Sequence, residues 1–79
     1  MATESLAFLA DRLDLNLVQG MSLLRQGQNA ESYWDMARVI LREIWRYYPD
    51  RAPAFESRVQ RVFADVLLES MKLEAKVTA

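Results

Sequence analysis

Eleven acidic side chains, ten basic ones, three tyrosines and two tryptophans are what this chain of 79 residues brings to chemistry, and it contains neither histidine nor cysteine. Without thiols there is no disulfide, no thiolate zinc site and no cysteine nucleophile. Without imidazole the usual general base is missing, as are most transition-metal constellations. Acid–base work would fall to carboxylates, and three pairs share a helical face: Asp11 with Asp14, Glu31 with Asp35, and Asp65 with Glu69. Paired oxygens can hold magnesium. Di-iron bundles, however, require Glu-x-x-His motifs, and the Glu-x-x-Glu spacing of the all-helical nucleotide pyrophosphatases does not occur here. Each pair has a cation close by, as ordinary surface acids do. No serine has a visible base partner, and the two glycines, Gly20 and Gly27, form no phosphate loop. The expectation is a protein without catalytic residues, cofactor or metal.

The cations have a pattern of their own. Arg38, Arg42 and Arg46 stand at i, i+4 and i+8, on one side of a helix. Read functionally, this is a ridge that follows phosphates while Trp45 and Tyr48 stack on bases, the signature of a nucleic-acid-binding regulator. Yet Glu31, Asp35 and Glu43 lie on the same side and cancel the three arginines, whereas nucleic-acid binders carry a local excess of positive charge. The preferred reading is a solvated face whose arginines form the polar rim of a contact with another protein.

The elements that carry these residues are helices. Leu6, Leu9, Leu13, Leu17, Met21 and Leu24 fall on one stripe at helical period, so a first helix runs over about 3–26, with Thr3 or Ser5 as N-cap. Gly27 suits the left-handed turn after it, and Asn29 suits the cap of the second helix, about 30–48. Pro49 ends that helix, because it lacks an amide donor and biases Tyr48 away from helical geometry. Asp50 is the expected cap of a third helix, about 50–76, with Pro53 tolerated in its first turn. There Phe55, Val59, Val62, Val66, Leu73 and Val77 recur at threes and fours, the spacing of helices packed lengthwise. Short connections make neighbours antiparallel. The fold class is all-α: one three-helix, up-down-up domain over residues 1–79, assembled as an oligomeric helical bundle. The spacing of Gly27, Ala37, Leu41 and Pro49 is similar to that of one tetratricopeptide repeat, but it covers less than half the chain and does not recur.

Oligomerisation is expected for two reasons. A single core in so short a chain supplies no more than about 3–5 kcal/mol, and disulfides and metals are not to hand. There is also too much apolar surface for one small core. On the second helix Tyr33, Met36, Ala37, Ile40, Ile44 and Tyr47 form one line, and Trp34, Leu41, Trp45 and Tyr48 form a second beside it. The third helix has an extra patch of Ala64, Leu67, Leu68 and Met71, and the first carries Phe8 and Leu15 on its polar side. One reading makes all of these residues core, since a bundle can surround its middle helix on two sides; the preferred reading makes one stripe an interface, because tryptophan and tyrosine favour interface centres. The candidate interface is therefore Trp34, Leu41, Trp45, Tyr48, Leu67, Leu68 and Met71, rimmed by Arg38, Arg42 and Arg46. The partners expected are a second copy of the chain and another protein. Hydrophobic content is 52% and charged content 27%, with net charge −1. No apolar run is long enough for a membrane span, and "MATESLAFLADR" does not read as a leader, so the expected location is the cytoplasm.

Overall fold

In a computed structural model the chain forms α1 (Leu6–Arg25), α2 (Glu31–Tyr47) and α3 (Ala52–Thr78), and among the described residues there is no strand. The structure describes residues 5–78, with side chains as far as Leu68 and at Met71. No helix among them is long and apolar enough to cross a membrane.

Each boundary has a local cause. Ser5 fills the N-cap of α1, its Oγ accepting the Phe8 N–H at 3.1 Å; Thr3 lies outside the described residues. At the other end Gln28 N–H donates to Leu23 C=O and Gly27 N–H to Leu24 C=O, both at 2.9 Å. Those two bonds, with Gly27 at φ 75°, close the helix in the left-handed turn that glycine favours. Asn29 works one position earlier than expected: Ala30 is the cap residue of α2, and Asn29 Oδ1 accepts from Glu31 N–H at 2.9 Å. Tyr48, just before Pro49, leaves helical geometry at φ −136° and ψ 58°. The N–H groups of Arg51 and Ala52 then both donate to Tyr48 C=O at 3.0 Å. This tight turn starts α3 at Ala52, two residues later than the sequence predicts, and leaves Asp50 ahead of the helix.

The core is one cluster: Leu9, Leu13 and Leu17 of α1, Ala37, Ile40 and Ile44 of α2, and Ala52 and Val59 of α3. Most of the packing joins α1 to α2, and α3 lies more loosely across the pair. Gly20 sits in the α1–α2 seam, where the outer ring of the Trp34 indole occupies the space a side chain would need. A Cβ there would stand 2.6 Å from Trp34 Cη2. Trp34 in turn meets Phe63 of α3 edge to face, with ring centroids 5.8 Å apart.

The register of α3 is marked by one ion pair. Arg58 Nη1 donates to both oxygens of Asp14, at 2.8 and 2.9 Å, across 44 positions of sequence. The same offset sets Leu17 and Met21 beside Val62, and it brings Arg25, the last residue of α1, level with Glu69. With a rise of about 1.5 Å per residue, the last two turns of α3 run on past the α1–α2 hairpin. The molecule is accordingly elongated, 53 × 19 × 14 Å.

Candidate protein-interaction surface

The two apolar lines of α2 do not divide into one core stripe and one interface stripe. The core runs between them. Ala37, Ile40 and Ile44 of the first line are buried, while Met36 and Tyr47 of the same line are exposed. Trp34, Leu41 and Tyr48 of the second line are half-buried and pack against the core cluster. Trp45 is the member of that line most open to solvent, at 39% exposure. It lies about 100° from the middle of the buried stripe, on the shoulder of the helix.

The arginines are similarly divided. Arg38 Nη1 is 2.8 Å from Asp35 Oδ1, and its guanidinium stands 5.4 Å from the centre of the Phe63 ring. Arg46 lies 5.4 Å from the centre of the Tyr47 ring. Arg42 makes no ion pair among the described residues. Of the acids expected to balance this ridge, Asp35 alone does so by direct contact. On α3, Arg61 and Asp65 are spaced for an ion pair but do not form one. Asp14, half of one candidate carboxylate pair, is spent on Arg58, and Glu69 of another has no described side chain. Among the described residues no group of three or more acids gathers where a metal ion could be held.

The α3 patch is the most open apolar feature among the candidate residues. Leu67, Leu68 and Met71 are 66%, 55% and 64% exposed, and Ala64 beside them is exposed as well. They face away from the side of α3 that carries Ala52, Val59, Val62 and Val66 toward the hairpin, because an offset of about 140° separates the two stripes. Where α3 rides loosely over the hairpin, two open grooves flank its buried side. One, about 210 Å³, lies between Leu17, Val18 and Met21 of α1 and Val62 of α3. The other, about 290 Å³, is walled by Trp34, Arg38, Phe63, Val66 and Leu67. Leu67 therefore belongs both to the exposed patch and to the rim of a groove.

Phe8 and Leu15 are exposed on α1, as their place on its polar side implies. Phe63 was not among the residues singled out by pattern, although it organises Trp34 and Arg38. Its position one residue past Val62, at the edge of the apolar stripe, is the only sequence signal it has. No family model matches the chain, and neither a curated protein nor a solved structure is detectably similar to it.

Proposed function

We propose that this chain is a non-catalytic, homo-oligomeric helical protein that acts through protein–protein contacts, as an adaptor, assembly factor or small regulator. The observation that carries this reading is the surface left over once the core is made. Size scaling for compact monomers gives about 4,900 Å² of accessible surface at 9.2 kDa, and this chain exposes 5757 Å². The surplus goes with the elongated shape, which leaves Leu67, Leu68 and Met71 of α3 exposed as a patch with no partner in the chain's own core. The radius of gyration points the same way, 14.3 Å against about 12 Å for a compact chain of this length.

Absolute mass by light scattering across a dilution series tests the proposal. The expected result is a multiple of 9.2 kDa that falls toward the single chain as the sample is diluted. A folded single chain at every concentration would refute self-association. The other reading, nucleic-acid binding along Arg38, Arg42 and Arg46, has less behind it. Arg38 is held by Asp35 and Phe63, and Arg46 lies over Tyr47. A gel shift with short RNA that weakens steeply with salt would favour it instead.

A further inference from the structure

We draw no further inference here: the strongest candidate, the exposed apolar face of α3 formed by Leu67, Leu68 and Met71 with the groove that Leu67 shares with Trp34 and Phe63, carries nothing, because nothing in the structure shows what covers it and Arg38, the charged residue on the wall of that groove, is already paired with Asp35.

Discussion

Replacing Gly20 by alanine sets two physical effects against each other at a single atom. In the interior of α1 an added methyl group removes backbone freedom from the unfolded chain, which favours the helix by about 0.5–1 kcal/mol. The same methyl carbon would stand 2.6 Å from Trp34 Cη2, 2.7 Å from Cζ3 and 2.9 Å from Cζ2. Phe63 meets the indole on the α3 side with its ring at 88°, so making room for the methyl disturbs that contact as well. Forcing such a contact costs about 1–3 kcal/mol, so Gly20→Ala should leave stability unchanged or lower it by up to about 2 kcal/mol. The decisive comparison is the same substitution in a Trp34→Phe chain. Phenylalanine keeps an aromatic ring at the core but lacks the outer ring that holds all three contacting atoms. There Gly20→Ala should stabilise, by about 0.5–1 kcal/mol, and the coupling between the two positions should be about 1–3 kcal/mol. Urea denaturation followed by far-UV circular dichroism reads all four chains, at one protein concentration so that any self-association shifts them alike. If Gly20→Ala stabilises both backgrounds equally, the indole is not seated on Gly20, and the α1–α2 seam is packed differently.

Gly27→Ala should cost about 1–2 kcal/mol through φ 75° alone, since a Cβ there meets nothing within 4 Å; Gly27→Asn, measured in the same denaturation series, should recover part of that loss. Leu13→Ala and Leu15→Ala remove the same atoms from neighbouring stretches of α1, but Leu13 is fully buried and Leu15 is 55% exposed. The first should cost about 2–5 kcal/mol, close to the whole stability of so small a core, and the second under about 0.5 kcal/mol; equal costs in the thermal or urea transition would mean that α1 is rotated from the face described. A double-mutant cycle on Asp14→Asn and Arg58→Ala should give a coupling under about 1 kcal/mol, because both side chains are roughly half exposed. That coupling should fade in high salt, and a value well above this bound would mean that the pair is buried in an assembly.

How much of this was legible in advance depends on the range of the interaction. Helix type and number, the cap at Ser5, the left-handed Gly27 and the break at Pro49 are set by residues within a turn of one another, and the chain's own periodicity determines them. The chemistry that histidine and cysteine would bring is excluded by composition alone. Position on a helix also placed Phe8 and Leu15 on the polar side of α1, whereas for Leu67, Leu68 and Met71 the period alone left open whether the second stripe of α3 faces inward or outward. The second helix was not readable in this way. Its two apolar lines satisfy the same period, and which flank turns inward depends on where α1 and α3 come to rest. Tertiary packing decided that the core runs between the lines, burying Ala37, Ile40 and Ile44 and turning Met36 and Tyr47 outward. The same packing gave Gly20 an indole for a neighbour and gave Trp34 and Arg38 a common ring in Phe63. Asp14 and Arg58 lie 44 positions apart, and no local pattern joins them; their contact and the overhang of α3 both follow from the register at which the loops and the shared core set the two helices side by side.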